Sequence, residues 1–330
     1  MGIIIFYLKK GILDSNFKKV LKKEINYSSD LYYQFKKLSV SFYFLPINKE
    51  ILKNKEISKE YKQNLLKNII LLDFKKELEN LLVKNKLDYL FYKGAFTAEN
   101  IYENIAQRFL SDIDLLINEK QLKKVKKLID NNFNITKYKK NKSFYTNEYR
   151  FYENEFLIKH KGYEISIDLH IGFIQKAKFN IEYSIIFKEN KIEHQMIAMI
   201  IQISNDYFIN TEKKFLDLYL IIKKENINWN YLLKLINQFK INKITYLIFY
   251  ILINELDLKN IPINNINLKK YEKFILNNMI MTKTFRINQI FLFYYTFDEL
   301  RDYKKFLNDK LLKTRKNGIE EVIRSLKKIK

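Results

Sequence analysis

Three aspartates carry the clearest chemical possibility in this chain: Asp112, Asp114 and Asp168. Asp112-Ile113-Asp114-Leu115-Leu116-Ile117 reads as a short apolar strand, in which alternate side chains share a face. Asp112 and Asp114 then point the same way, while Ile113 and Leu115 point into a core. Two like charges side by side repel, and a bound divalent cation removes that cost. A second strand, Glu164-Ile165-Ser166-Ile167-Asp168-Leu169-His170-Ile171, puts Glu164, Ser166, Asp168 and His170 on one face. If the two strands lie together, Asp168 joins the pair. Three carboxylates can hold two Mg²⁺ ions ~4 Å apart, the clamp used for in-line attack on a phosphoryl group. A solitary Asp-x-Asp also occurs on ordinary solvated strands. The third carboxylate, on a separate apolar strand, favours the site.

Upstream, Lys93-Gly94-Ala95 lies between a strand and a helix. Glycine lets a backbone approach phosphate closely, a helix start offers free N–H groups, and Lys93 adds a mobile cation. Arg108, four residues before Asp112, could clamp a phosphate or pair with a carboxylate. His170 could bind metal, orient Asp168 or contact phosphate. His160 and His194 show no ligand spacing and read as structural, as does Asp217 between Leu216 and Leu218. Cys is absent and the histidines lack clear partners, so no Ser/His/Asp or Cys/His nucleophile constellation can be assembled. No Walker-type glycine loop occurs.

The elements that must position these residues can be read from periodicity. Residues 1–84 are mostly helical, most clearly over Ser58–Val83, where Leu65, Ile69, Leu72, Leu78 and Leu82 recur among charges. Leu87–Tyr92 reads as a buried strand. Thr97–Gln107 reads as a helix with Thr97 as its N-cap. Asn118 caps a basic helix over Glu119–Asn131. Glu148–His160 and Tyr163–Ile171 form a hairpin around Lys161-Gly162. Helices follow over His194–Ser204, Lys213–Lys224 and Tyr231–Phe239, with Trp229 a packing anchor, and the basic last third is helical. The expectation is an α+β chain in three parts: a helical region over 1–84, an α+β core over 85–190 and a helical domain over 191–330.

Composition sets the outer limits. The chain has 330 residues, 47% hydrophobic, with 26 Phe and 24 Tyr, enough for a substantial core. No Cys excludes a disulfide scaffold, and 6 Gly with 2 Pro exclude a collagen-like chain. The formal net charge of +23 would attract anions such as nucleic acid. Only six of the 60 basic residues are Arg, however, and Ile, Asn, Phe, Tyr and Lys, all written with AT-rich codons, are abundant. Much of the lysine excess therefore reads as genomic bias. The helix over 119–131 and the run Lys137–Lys142, with nine Lys between them, fit either an RNA backbone track or a solvated face, as does Lys313–Lys330. The opening residues lack a basic stretch before their short apolar run, and the longest apolar run, near Tyr246–Asn254, is far short of a membrane span. A cytoplasmic protein is expected, with no membrane partner.

The order of these features resembles a known family. Lys93-Gly94-Ala95, then Arg108-x-x-x-Asp112-Ile113-Asp114-Leu115-Leu116-Ile117, then Ile167-Asp168-Leu169-His170, is similar to nucleotidyltransferases of the DNA polymerase β-like superfamily, closest to the subgroup of uncharacterised nucleotidyltransferases. Phe215-Leu216-Asp217-Leu218 and Ile227-Asn228-Trp229 resemble that subgroup's helical C-terminal part, and the likeness covers roughly 87–235. The resemblance implies a polymerase β-like core with a small mixed sheet, flanked by helices. It implies a Mg²⁺-dependent transfer of a nucleoside monophosphate from a nucleoside triphosphate to a hydroxyl on RNA (a tRNA end, as in some toxin-type relatives), protein or a small molecule, with pyrophosphate released. Asp112 and Asp114 would be metal ligands and Asp168 the third carboxylate, on metal or as general base. Lys93 and Gly94 would lie in the nucleotide-binding turn, and Arg108 would contact triphosphate. The superfamily turn usually reads Gly-Ser or Gly-Gly; here Gly94-Ala95 lacks the serine hydroxyl, which puts donor binding in doubt more than metal binding. The competing reading is a basic nucleic-acid-binding module or a catalytically silent relative.

Overall fold

The structure, a computed structural model, describes residues 13–140, 144–145, 150–171, 191–205 and 212–273, apart from positions 25, 48 and 271. The tail Lys313–Lys330 and most of the last third lie outside the described residues.

Short amphipathic helices open the described chain: α1 (Ser15–Leu21), α2 (Ser29–Lys37) and α3 (Ser41–Phe44). Asp14 and Ser28 cap the first two, accepting hydrogen bonds from backbone N–H groups of their first turns. Helix α4 (Lys55–Lys84) is 30 residues long and capped by Asn54, and the expected helix over 58–83 lies inside it.

Strand β1 (Tyr89–Tyr92) leads into α5 (Gly94–Asn100). Here the expected helix over Thr97–Gln107 is corrected. It begins three residues earlier and stops at Asn100, and Thr97 sits inside it, its hydroxyl donating back to the carbonyls of Lys93 and Gly94 at 3.1 Å. Residues Ile105–Gln107 form a separate single turn, capped by Asn104. Strand β2 (Asp112–Ile117) has the expected limits. The expected helix over 119–131 is split: Asn118 caps only the short turn Glu119–Gln121, and α6 (Leu122–Asn132) follows it without a side-chain cap. Strand β3 (Asn134–Lys140), which had no alternating pattern to announce it, follows. Then come β4 (Phe144–Tyr145), β5 (Arg150–His160) and β6 (Tyr163–Ile171). The β5–β6 turn is Lys161-Gly162, with φ of 47° and 82°, the left-handed pair a tight hairpin needs. The C-terminal helices are α7 (Ile192–Asn205), α8 (Glu212–Lys224), α9 (Trp229–Gln238) and α10 (Asn242–Leu256).

The sheet runs β1-β2-β6-β5-β3, with β4 beside β5. It is mixed: β2 and β6 are parallel, and the other pairs are antiparallel. One face carries Phe91, Ile113, Leu115, Ile117, Ile167 and Leu169 into a core with α4 and α6. The other face supplies Leu90, Tyr92 and Leu116 to a second core, shared by the N-terminal helices and by α7–α10. The fold is thus the expected α+β core between helical regions. Among the described residues, no helix is long and apolar enough to cross a membrane.

Candidate active site

The parallel pairing of β2 with β6 does the decisive work. In register, Asp112 faces Ser166, Asp114 faces Asp168 and Leu116 faces His170. Side chains opposite one another in a sheet share a face, so two aspartates from distant segments stand side by side. Asp114, Asp168 and His170 each offer a ligand atom, all within 4.8 Å of one another. Two carboxylates and an imidazole at this spacing form a donor set for a divalent cation. Asp112 lies one step along β2, outside that tight group, and its Oδ1 accepts from Ser111 Oγ at 3.0 Å. Glu155 is the register partner of Asp168 on β5, so the next strand carries another acidic residue on the same face.

Asp114 is 6% exposed. Burial would raise its pKa, but the Lys93 ammonium at 2.5 Å from Oδ1 and His170 Nε2 at 2.9 Å hold it well below the usual carboxylate range. Asp112 is shifted the other way, by burial and then by the charge of Asp114. Burial alone would lower the Lys93 pKa, but Asp114 raises it, so Lys93 is a firmly charged ammonium. Its ammonium lies over the Tyr92 ring, Nζ 4.8 Å from the centroid.

Lys93 also marks strain. Its φ is 58° and ψ is −130°, in the left-handed half of backbone space where glycine is the usual occupant. Gly94 has a different reason to be glycine: a Cβ there would stand 3.1 Å from Leu110 Cδ2 and 3.5 Å from the Arg108 guanidinium. The turn is therefore built with the special backbone one residue earlier than the sequence suggests.

Arg108 is placed by a carboxylate. Its Nε and Nη2 donate to Asp217 of α8 at 2.7–3.2 Å, and Nη1 donates to the carbonyl of Phe109. Tyr102 OH also donates to Asp217, at 2.7 Å. This buried pair, with side chains 6% and 3% exposed, ties the C-terminal helices to the turn before β2. Of the two roles the sequence left open for Arg108, carboxylate pairing is the one its contacts display. Asp217, read as structural, is the other half of that clamp.

Two residues that sequence reasoning passed over also converge here. Lys213 and Lys214, in the first turn of α8, feel the charges of Asp114, Asp217 and Arg108. Both pKa values are pushed down to about 8, by burial first and then by Arg108 for Lys213 and by Lys93 for Lys214. In a sequence with so many lysines, only the fold could single these two out.

A second cluster lies elsewhere. His160, expected to lack acidic partners, has its Nε2 3.1 Å from Asp73 Oδ2 and 3.8 Å from Glu77 Oε1. Lys161 already pairs with Asp73 at 2.5 Å. His194 makes the structural contact expected of it, with Tyr231 OH at 2.8 Å.

A mixed sheet carrying paired aspartates on neighbouring strands, beside a lysine–glycine turn, defines a protein of the nucleotidyltransferase class. The model of the uncharacterised nucleotidyltransferase family matches residues 48–255, and the chain belongs to that family. Two solved structures from Helicobacter pylori are similar. One, described as a candidate nucleotidyltransferase, is 16% identical, with 64% of this chain and 95% of that chain covered and a TM-score of 0.30. The other, JHP933, is 18% identical, with 66% and 94% covered and a TM-score of 0.29. No curated protein matches the chain.

Proposed function

We propose that the chain transfers a nucleoside monophosphate from a Mg²⁺-bound nucleoside triphosphate to a hydroxyl acceptor, releasing pyrophosphate. The observation that carries this is the in-register meeting of Asp114 with Asp168, with His170 beside them, on a face from which Asp112 also projects. Asp114 and Asp168 would hold the metal, Asp112 would extend the acidic set, and His170 would orient Asp114. The metal would neutralise charge on the phosphoryl oxygens and lower the barrier to in-line attack.

The chain's own residues do the rest. Asp168, half-buried at the end of the set, accepts the proton of the acceptor hydroxyl. The hydroxyl oxygen forms a bond to the α-phosphorus, the α–β bridging P–O bond breaks, and pyrophosphate leaves with those electrons. Lys93 balances Asp114, and a metal held by that carboxylate would free Lys93 to pair with the phosphates. Lys213 and Lys214 supply the remaining positive charge for the triphosphate, while Arg108, held by Asp217, packs against the turn at Gly94, whose missing side chain leaves room for Arg108 and Leu110.

The test is incubation with α-labelled nucleoside triphosphates, Mg²⁺, and RNA and protein extracts. Label transfer that needs Mg²⁺ and is lost in Asp114→Asn supports the reading. Transfer that survives Asp112→Asn combined with Asp114→Asn contradicts it. No transfer and no Mg²⁺-dependent nucleotide binding would make the chain a silent member of the family.

A further inference from the structure

Helix α4 leaves one face without a partner. Among the described residues, the exposed large aliphatic side chains are Leu66, Ile69 and Val83, and all three lie on this helix. Leu66 and Ile69 are each 47% exposed and, three positions apart, stand side by side. Together they form an apolar spot in mid-helix whose removal from water is favourable.

The charges around that spot are sorted along the helix. Lys62 lies four residues before Leu66, and Asp73 lies four after Ile69. Lys59 lies seven before Leu66, and Glu77 lies eight after Ile69. Spacings of three and four keep all six on one stripe of the helix. At the basic end, Lys59, Lys62 and Leu66 line an open groove of ≈ 490 Å³ whose lining holds no carboxylate. Among the described residues, neither lysine has an acidic partner. At the other end, Asp73 takes Lys161 Nζ at 2.5 Å and His160 Nε2 at 3.1 Å. Its side chain is still 40% exposed, and that of Glu77 is 49% exposed. Lys76 lies ~100° around the helix from Glu77, on the far edge of the stripe. The stripe therefore runs basic, apolar, acidic, and it is its own complement when reversed.

We infer that two copies of the chain pair through this face, antiparallel, about a two-fold axis between Leu66 and Ile69. Leu66 packs on the partner's Ile69. Lys59 reaches the partner's Glu77 and Lys62 reaches the partner's Asp73, and symmetry makes each contact twice. A parallel pairing would set lysine on lysine and carboxylate on carboxylate, so the charges select the reversed one. An acidic protein or RNA would meet like charge at the Asp73–Glu77 end, whereas a second copy satisfies both ends. The contact runs ~27 Å from Lys59 to Glu77 at ~1.5 Å per residue. That is a small interface, for which a micromolar dissociation constant is expected. The inference does not depend on the proposed transfer reaction.

The experiment is sedimentation velocity of the full chain from about 1 to about 100 µM, a range that brackets micromolar association. The wild-type chain is expected to pass from monomer to dimer across it. Leu66→Ser/Ile69→Ser should weaken the dimer about tenfold or more, since four apolar side chains lose their burial. Lys59→Glu should weaken it about fivefold or more, because it sets like charges together at two places. Lys59→Glu/Glu77→Lys should recover most of the wild-type affinity, because the exchanged charges pair again across the axis. All four side chains are exposed, and circular dichroism melts confirm that each variant is folded. A chain that stays monomeric at about 100 µM overturns the inference, whatever else binds this face. So does a dimer that folded Leu66→Ser/Ile69→Ser forms as tightly as wild type. A double charge variant no tighter than Lys59→Glu overturns the antiparallel pairing.

Discussion

Lys93 is the residue on which the electrostatics of the site turn. It occupies a strained backbone position and sits against a buried carboxylate that burial alone would neutralise. Replacing it by Met should leave Asp114 buried without its main counter-charge, a change that typically costs ~3–5 kcal/mol for a buried pair. The sign follows from linkage. In the wild-type chain the depressed pKa of Asp114 contributes stability above the unfolded value of ~3.9, and that contribution is lost as pH falls through the folded value. In Lys93→Met that acid-side loss should shrink, because the carboxyl is no longer favoured in its charged form. Chemical denaturation of both proteins from about pH 5 down to about pH 2 measures this. Lys213 and Lys214 give an opposite window. With pKa values near 8, both are fully charged only below that pH, so binding of a nucleoside triphosphate should weaken as pH rises from 7 to 9. Calorimetric titration should show this decline, and it should flatten in Lys213→Met/Lys214→Met. A decline of equal size in the double variant would remove these lysines from the phosphate site.

At the scale of elements, the sheet register assembles the carboxylates and the Arg108–Asp217 pair clamps the surrounding helices. Asp217→Ala should strand a buried guanidinium and destabilise the chain by ~3–5 kcal/mol in urea denaturation. A loss under ~1 kcal/mol would mean that the pair is not holding α8 to the turn before β2. Much of this layer was legible beforehand. β6 announces itself by strict alternation, β2 by a short apolar run behind its paired aspartates, the hairpin by Lys161-Gly162, and α4 by its apolar spacing. What escaped did so for physical reasons. β3 is lysine-rich and pairs at the sheet edge, so it lacks a burial pattern. Thr97 is equally at home bonding backward inside a helix as capping one. The parallel neighbourship of β2 and β6 has no local signature, because no short stretch of sequence records which strands meet. The clamp between residues 109 positions apart, and the convergence of Lys213 and Lys214, are long-range facts of the same kind.

At the scale of the whole molecule, the N-terminal helices and α7–α10 bury their apolar faces in one continuous core that also takes Leu90, Tyr92 and Leu116 from the sheet. We propose that the three parts, 1–84, 85–190 and 191–330, act as layers of one cooperative unit. Calorimetry should then show a single transition, and residues 85–190 expressed alone should not melt cooperatively. A nucleoside triphosphate with Mg²⁺ should raise that transition only when both are present, by ~2.7 kcal/mol at a hundredfold excess over the dissociation constant. Two separated transitions, with only one responding to ligand, would refute the single-unit account.

The central claim is that Asp114 and Asp168 hold one divalent cation, with His170 orienting Asp114 beside it. Crystals of the full chain grown with Mn²⁺ and a non-hydrolysable nucleoside triphosphate analogue test it most directly, through the anomalous signal of the metal. The account predicts a peak between the carboxylates of Asp114 and Asp168, with Lys93 drawn away from Asp114 toward the phosphates. A fully occupied metal elsewhere on the chain, or a nucleotide bound with Lys93 still seated on Asp114 and no metal at the pair, would contradict it.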